Sequence, residues 1–151
     1  MRHPYYEAIL LIERTHRHFL EVVKSDLDRL GIQDINNVQA LILYNIGADE
    51  MTVGELTARG YYLGSNVSYN VKKMVEMGYL HHARSRIDRR SVRISLTEKG
   101  EEVHKIVASL YDKHAMTVEQ IGGVAVEDFI RMNQSLARLE RFWTDQIKYR
   151  L

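Results

Sequence analysis

Cysteine is absent from the 151-residue sequence, and proline occurs only once. Without thiols, the chain has no disulfide framework, no thiolate nucleophile, no cysteine-ligated zinc and no thiol-based redox sensor. A long hydrophobic run is also missing, because Glu7 and Glu13 interrupt the apolar residues near the N-terminus and no small-residue cleavage site follows them. We therefore expect neither a signal peptide nor a membrane span, and we expect a cytoplasmic protein.

Sequence patterns that carry enzymatic chemistry are missing as well. The chain has no H-E-x-x-H, paired-carboxylate or phosphate-loop pattern, and no serine in a nucleophile elbow. Two histidine pairs stand out among its seven histidines. His81 and His82 are adjacent in a predicted strand and face opposite ways, and His16 and His18 lie about 200° apart on a predicted helix. We expect no enzymatic activity, no cofactor and no metal site.

Charge is unevenly distributed, although the formal net charge is only +1. From Val53 to Gly100, nine basic residues stand against four acidic ones, a net charge of +5, and the rest of the chain carries twelve basic against sixteen acidic residues. Five arginines crowd into residues 84 to 95: Arg84, Arg86, Arg89, Arg90 and Arg93. A polyanion would be attracted to the basic middle of the chain and repelled by its acidic ends.

Apolar residues spaced three and four apart predict long helices at both ends of the chain. The first begins at Pro4 and closes at Gly31; near the C-terminus, one helix is capped by Thr97 and ends at Gly122-Gly123, and a last one carries Phe129 to Ile147. Isolated helices gain most of their stability by packing an apolar face. We expect these stripes to meet in a bundle between two subunits; the alternative is that they fold back on the same chain.

The middle of the chain has shorter elements. A helix from about Asn37 to Gly47 precedes two short helices. Thr52-Val53-Gly54-Glu55 has the form of a capping box at the start of the first, and Ser65 can cap the second, which ends at Gly78.

After Gly78 the spacing of the apolar residues changes to the two-residue period of a β-strand, and the pattern predicts a β-hairpin. Val92, Ile94 and Leu96 alternate with polar residues, which is typical of a half-buried strand. Residues 79–86 can supply the antiparallel partner, and Asp88-Arg89-Arg90 would form the tip.

The helix that begins near Ser65 has two unlike faces on a helical wheel. Val67, Val71, Met74 and Val75 share the face predicted to pack inward. Asn66, Tyr69 and Lys73 lie on the opposite face, with Ser65, Asn70 and Lys72 on its flanks. Ser68 is a further polar candidate of the same helix. Such a helix suits the DNA major groove, where asparagine can read adenine and lysine can reach guanine or phosphate. The alternative is a plain solvated face.

The arginine-rich hairpin could reach the neighbouring minor groove, whose negative potential attracts arginine. Asp88 can hold the guanidinium of Arg90 by a charge-assisted hydrogen bond. Charge on a hairpin can also serve to prevent edge pairing, but arginine rather than lysine favours phosphate binding. The candidate DNA contacts on the hairpin are Arg84, Arg86, Asp88, Arg89 and Arg90.

The run from Thr52 to Gly100 resembles the winged helix-turn-helix of the MarR-type transcriptional regulators. In that family, a short helix with the pattern V-x-E-L precedes a recognition helix ending x-x-L-x-x-x-G-[YL]-[LI], and the wing reads D-x-R-x-x-x-[VI]-x-L-T-x-K-G. The wing pattern is matched at Asp88, Arg90, Ile94, Leu96, Thr97, Lys99 and Gly100. The resemblance extends over the whole chain in helix order, although the terminal helices match only in length and pattern.

The resemblance implies a mainly α fold with a small β-hairpin wing. One domain would comprise a winged helix-turn-helix lobe at residues 36–100 and a helical dimerisation region at 1–35 and 101–151. It also implies a homodimer that binds a palindromic double-stranded DNA operator, with residues 65–73 in the major groove and Arg90 in the minor groove.

One departure from the family pattern is the turn Gly60-Tyr61-Tyr62-Leu63-Gly64, which is longer and more aromatic than usual. Its tyrosines could contact phosphates, form part of a ligand pocket, or pack between lobe and bundle. Members of the family commonly respond to small aromatic or phenolic effectors. By analogy, the candidate effector-binding residues are Tyr5, Tyr6, Tyr44, Tyr61 and Tyr62; the same side chains could simply be core and interface.

A second function stays open on the sequence: a winged-helix module that docks on an acidic protein or on RNA through its arginines. A palindromic DNA preference would separate the two hypotheses.

Overall fold

A computed structural model of the chain describes residues 1–60, 64–84 and 92–150. Its helices are α1 (Pro4–Arg29), α2 (Asn37–Ile46), α3 (Val53–Gly60), α4 (Gly64–Glu76), α5 (Glu98–Gly122) and α6 (Val126–Tyr149). Its strands are β1 (Met51–Thr52), β2 (Leu80–Arg84) and β3 (Val92–Leu96). The predicted fold class, mainly helical with a small β wing, is confirmed.

Local start and stop signals work as the sequence predicts. The Thr52 hydroxyl accepts a hydrogen bond from the Glu55 amide at 3.1 Å, and the Glu55 carboxylate accepts one from the Thr52 amide at 3.3 Å, which completes the predicted capping box. The Thr97 hydroxyl accepts from the amide of Gly100 at 3.1 Å and so caps α5. Each device satisfies amides that a helix start leaves without a partner.

Two local predictions need correction. Helix α4 begins at Gly64, so Ser65 lies in its first turn instead of capping it from outside. The sheet has three strands rather than two, in the order β1-β3-β2, because Met51 pairs with Ile94 and Thr52 with Arg93. A two-residue strand is too short to show a period in sequence.

The hairpin pairing itself is confirmed. Strands β2 and β3 run antiparallel, with Leu80 opposite Leu96 and Arg84 opposite Val92. The predicted hairpin tip, Asp88-Arg89-Arg90, lies outside the described residues, as do Arg86, Tyr61 and Tyr62.

The chain forms two compact units, Met1–Leu110 and Tyr111–Leu151. In the first unit, apolar side chains from the short helices and the sheet make the core. Several of them are completely buried: Ile42, Leu43, Leu56, Val67, Met74 and Ile94. Burying such side chains stabilises the fold by about 1.5–3 kcal/mol each relative to leaving them exposed.

The second unit has little core of its own. Helix α6, all of which is described, contains no buried residue. Most of its large apolar side chains are exposed: Val126, Phe129, Ile130, Met132, Leu136, Phe142, Ile147 and Tyr149. Within this unit, the end of α5 and the start of α6 enclose an apolar groove of about 420 Å³, lined in part by Val118 and Ile130. No described helix is long and apolar enough to cross a membrane.

Candidate nucleic-acid interface

Helix α4 separates its faces as the wheel predicts. Val67, Val71 and Met74 are buried. Five of the seven polar candidates are exposed: Asn66, Ser68, Tyr69, Lys72 and Lys73. The side chain of Ser65 is not among those described. The helix therefore presents donors, acceptors and two positive charges outward from a fixed apolar base.

A cation–π contact organises the middle of this exposed face. The Lys73 ammonium lies 5.8 Å from the centre of the Tyr69 ring, one helical turn away. Such a contact at an exposed site contributes about 0.5–1 kcal/mol. It restricts the lysine while leaving its N–H groups able to donate to a ligand.

Asn70, the seventh candidate, is half-buried and differs from its neighbours. Its Oδ1 accepts a hydrogen bond of 3.1 Å from Nε2 of Gln39 in α2. Gln39 is itself part of a capping box with Asn36 at the start of α2. The outer face of α4 is thus connected through Asn70 to the first turn of the helix beneath it.

The end of α4 is fixed by the residues that join the wing to α5. Gly78 adopts a positive φ of 84°, and the amide of Tyr79 donates to the carbonyl of Met74 at 2.9 Å, which closes the helix in a Schellman turn. The Thr97 hydroxyl donates to the carbonyl of Gly78 at 2.6 Å, and the Lys99 ammonium donates to that of Met77 at 3.1 Å. These bonds satisfy carbonyls that a helix end would otherwise leave without partners.

Gly100 allows this junction to close. A Cβ atom at this position would overlap the carbonyl oxygen of Tyr79 and would lie 3.3 Å from a methyl group of Leu96. The backbone of β3 and α5 can therefore approach the end of α4 only if residue 100 has no side chain. Thr97, Lys99 and Gly100, which form part of the wing motif of the sequence, position the end of α4 and lie outside its exposed face.

An ionic cluster strengthens the same junction. The Tyr79 hydroxyl donates to one oxygen of the Asp34 carboxylate at 2.6 Å, and Lys99 donates to the other at 3.2 Å, with its ammonium 4.2 Å from the centre of the Tyr79 ring. The hydrogen bond from Tyr79, followed by the bond from Lys99, holds the pKa of Asp34 below its ordinary value. Burial, and then the hydrogen bond to Asp34, raise the pKa of Tyr79 well above its ordinary range.

The hairpin contributes a further cation. Arg84, the last residue of β2, is exposed at the base of the wing. Arg93 on the neighbouring strand instead pairs with Glu50 at 2.9 Å and supports the short strand β1. The arginines of the tip lie in the part of the chain that is not described.

The tyrosines proposed as an effector lining fall into separate aromatic contacts. Tyr5 and Tyr6 at the start of α1 are exposed and meet edge to face at 6.1 Å. Tyr44 in α2 stacks on His104 in α5 at 5.2 Å. The apolar groove between α5 and α6 is lined by other residues. Among the residues that the structure describes, no group of three His, Asp or Glu side chains could hold a metal ion.

Sequence reasoning missed the residues that position α4. The contacts of Gln39, Asp34 and Tyr79 could not be predicted from the sequence, because each joins residues that are 31 to 65 positions apart. One local clue was present: Asn36 and Gln39 have the N-x-x-Q spacing of a capping box.

Comparison with known proteins agrees with this architecture. Residues 35–100 match the family model of the winged helix DNA-binding domain. The class defined by fold and site is therefore that of winged helix DNA-binding proteins.

Similarity to individual proteins over most of the chain identifies the family more closely. The chain is 35% identical over 148 residues to the exopolysaccharide II synthesis transcriptional activator ExpG of Rhizobium meliloti, a match that covers 96% of this chain and 74% of that protein. The fold is similar to that of AbsC, a MarR family transcriptional regulator from Streptomyces coelicolor, at a TM-score of 0.75 and 21% identity over 97% of this chain and 98% of the other. It is also similar to Streptococcus pneumoniae FabT in complex with DNA, at a TM-score of 0.73 and 23% identity over 93% and 98% of the two chains.

The chain belongs to the MarR-type winged helix-turn-helix transcriptional regulators. It is a DNA-binding regulator and not an enzyme.

Proposed function

We propose that the protein acts as a homodimer that recognises a palindromic double-stranded DNA operator through α4. The observation that carries the proposal is the exposed face of that helix, where Asn66, Tyr69 and Lys73 stand opposite the buried Val67 and Met74. Asparagine, tyrosine and lysine at this spacing present groups that can bond base edges and phosphates in a major groove.

The apolar surface of the second unit supports the homodimer. Helix α6 has 24 residues and buries none of them within one chain, and its exposed Phe129 and Leu136 lie on one stripe. Exposed apolar surface that continues along a helix is typical of an interaction site. A second copy supplies an equal stripe, so a symmetric interface would cover both.

The hairpin completes the proposed interface. Arg84 is exposed at its base, and Arg86, Arg89 and Arg90 follow in sequence. We expect Arg90→Ala to weaken DNA binding without unfolding the protein, because a wing tip buries little. Equal affinity of this variant and the wild type for the best site would remove the wing assignment.

The decisive experiment is selection from a random duplex library at two salt concentrations. With about three to five phosphate contacts per subunit, we expect affinity to fall on the order of a thousandfold between 50 and 200 mM salt. We expect an enriched palindrome with half-sites about ten base pairs apart. Salt-sensitive binding without an enriched sequence would instead favour docking on an acidic protein or RNA.

Two substitutions assign the reading residues. Asn66→Ala and Tyr69→Ala should relax the sequence preference at defined positions, because both side chains are exposed on the face that would enter the groove. An unchanged preference in both variants would remove α4 as the reading element. Since the relative from Rhizobium meliloti is named an activator, a promoter reporter should be read for both increase and decrease.

Control by a small aromatic or phenolic effector is the last part of the proposal. Tyr5, Tyr6 and Tyr44 are the described candidates for its lining, since aromatic side chains stack well on aromatic ligands. A screen for release of the selected operator tests it, with Tyr6→Ala and Tyr44→Ala as lining variants. If a compound releases the operator equally well from both variants and from the wild type, these tyrosines do not line the effector site. If no aromatic or phenolic compound releases the operator, this effector class is excluded.

A further inference from the structure

Gln39 occupies an unusual position for a polar side chain. It lies in the first turn of α2 with only 7% of its surface exposed, between the start of that helix and α4. Its Oε1 is 3.0 Å from the backbone nitrogen of Asn36, and its Nε2 is 3.1 Å from Oδ1 of Asn70. Both ends of the amide are therefore engaged, each by a different element.

These contacts define which way each amide points. A backbone N–H can only donate, so the group of Gln39 that faces Asn36 must be the oxygen. The NH₂ group of Gln39 then faces Asn70, which must answer with its own oxygen. The orientation of both side-chain amides follows from one backbone donor, which removes the usual ambiguity between oxygen and nitrogen in amides.

We propose that Gln39 is a positioning residue of the DNA interface, which turns Oδ1 of Asn70 inward so that the group that Asn70 offers DNA is its N–H donor. The inference rests on the proposed function, in which the outer side of α4 meets a duplex. It separates Asn70 from Asn66, whose exposed amide can present both its oxygen and its nitrogen.

The chemistry of the partner follows from this orientation. An N–H donor alone fits an acceptor: a phosphate oxygen, or an acceptor on a base edge such as guanine O6 or thymine O4. Recognition of adenine by asparagine needs the amide oxygen as well, because the 6-amino group of adenine donates. We therefore expect Asn70 to bind such an acceptor and not to make the two-bond contact with adenine, for which its oxygen would have to turn its second lone pair away from Gln39 and towards the base.

A double-mutant cycle on the full-length protein tests this link. The variants are Asn70→Ala, Gln39→Met and their combination, which keep the charge of the interface constant. We expect Asn70→Ala to weaken binding to the selected operator about three- to tenfold, as for one lost hydrogen bond. Gln39→Met should also weaken it measurably, though by no more than that, and the double variant should equal Asn70→Ala alone.

Loss of stability must be separated from loss of positioning. Val23→Ala is the matched control, because Val23 is buried in α1 and distant in sequence from both amides. This variant should lower the unfolding temperature and leave the operator affinity of the folded protein unchanged. A purely structural Gln39 would behave like Val23, and the proposal would be wrong.

The base preference of each variant identifies the acceptor. If Asn70→Ala weakens binding equally on all DNA sequences, Asn70 contacts a phosphate. If the variant loses its base preference at one base pair, Asn70 contacts the edge of that base. Either result supports the proposal. Replacing the adenines of the operator by purine without the 6-amino group gives the contrary test. If this replacement weakens binding by the wild type but not by Asn70→Ala, Oδ1 of Asn70 faces the DNA. That result would overturn the proposed orientation of Asn70.

Failure of the proposed function can be told apart from failure of this inference. If the wild type selects no DNA sequence, the proposed function and this inference are both wrong. If the wild type selects an operator that Asn70→Ala binds equally well, only the inference falls. In the free protein, the side-chain NH₂ signals of Gln39 should exchange slowly with solvent and become faster in Asn70→Ala; fast exchange in the wild type would contradict the clamp.

Discussion

Tyr79 illustrates how one side chain can serve two elements. Its ring is buried, with 3% of its surface exposed, and its hydroxyl reaches Asp34 in the segment between α1 and α2. Its backbone closes α4 and bonds Thr97 at the start of α5. Helix α4 is therefore held by residues outside its exposed polar face.

We expect Tyr79→Phe to lower the free energy of unfolding by about 1–3 kcal/mol at pH 7, since a hydrogen bond to a charged carboxylate is lost. The Asp34 pKa lies below its ordinary value of 3.8, so this stabilisation is present above that pH and is lost as the pH falls through the lower folded value. Denaturation at pH 7 and pH 3 checks the difference between variant and wild type. A gap of equal size at both pH values would contradict the assignment to ionised Asp34.

Lys73 gives a prediction for DNA binding at the same scale. Lys73→Ala should weaken binding uniformly across sequences and reduce the slope of log affinity against log salt by about 1, as expected for one phosphate contact. Lys105→Ala is the matched control, because Lys105 is an exposed lysine on α5. Titrations of labelled operator at several salt concentrations measure both slopes, and equal slopes for the two variants would place Lys73 away from the phosphates.

At the scale of elements, the junction between β3 and α5 depends on close backbone approach. Thr97, Lys99 and Gly100 form part of the wing pattern of the family, and the structure gives each a physical reason: a cap, a bond to the end of α4, and the absence of a side chain. The motif therefore reflects how the junction of β3 and α5 packs against the end of α4.

Gly100→Ala should destabilise the fold by about 1–3 kcal/mol, because an added methyl group overlaps the carbonyl of Tyr79 and the backbone must shift. Gly122→Ala is the control in the same helix, since its nearest neighbour would be a methyl group of Val118 at 3.5 Å, an ordinary contact. Alanine should be neutral or slightly stabilising there. Thermal unfolding compares the two, and equal unfolding temperatures would refute the close approach.

At the scale of the whole molecule, the distribution of apolar surface predicts association. The core lies in Met1–Leu110, whereas α6 has exposed apolar residues and none that is buried. A chain with this division should bury the α6 stripe against a copy of itself, as we propose.

Leu136→Glu should convert the dimer to a monomer, because it places a charge within the stripe at a side chain that is 42% exposed in the single chain. Gln134→Glu adds the same charge on the other side of the helix, about 160° away, and should leave the dimer intact. Analytical ultracentrifugation gives the mass of each. A wild-type monomer, or a dimer in both variants, would contradict the assignment of the interface to this stripe.

The sequence by itself determined the order of the six helices, the pairing of the two long wing strands and the two faces of α4. Periods, caps and glycine stops are carried by contiguous residues, so they can be read before the chain folds. The candidates Asn66, Tyr69, Lys72 and Lys73 are exposed as their wheel positions predict.

Only the tertiary structure decided which residues hold that helix and how Asn70 is oriented. The contacts from Gln39 to Asn70, from Asp34 to Tyr79 and from Asp34 to Lys99 join residues 31, 45 and 65 positions apart. The short strand β1 likewise exists only because Met51 meets Ile94. Such contacts depend on how finished elements pack, and no local pattern of residues encodes that geometry.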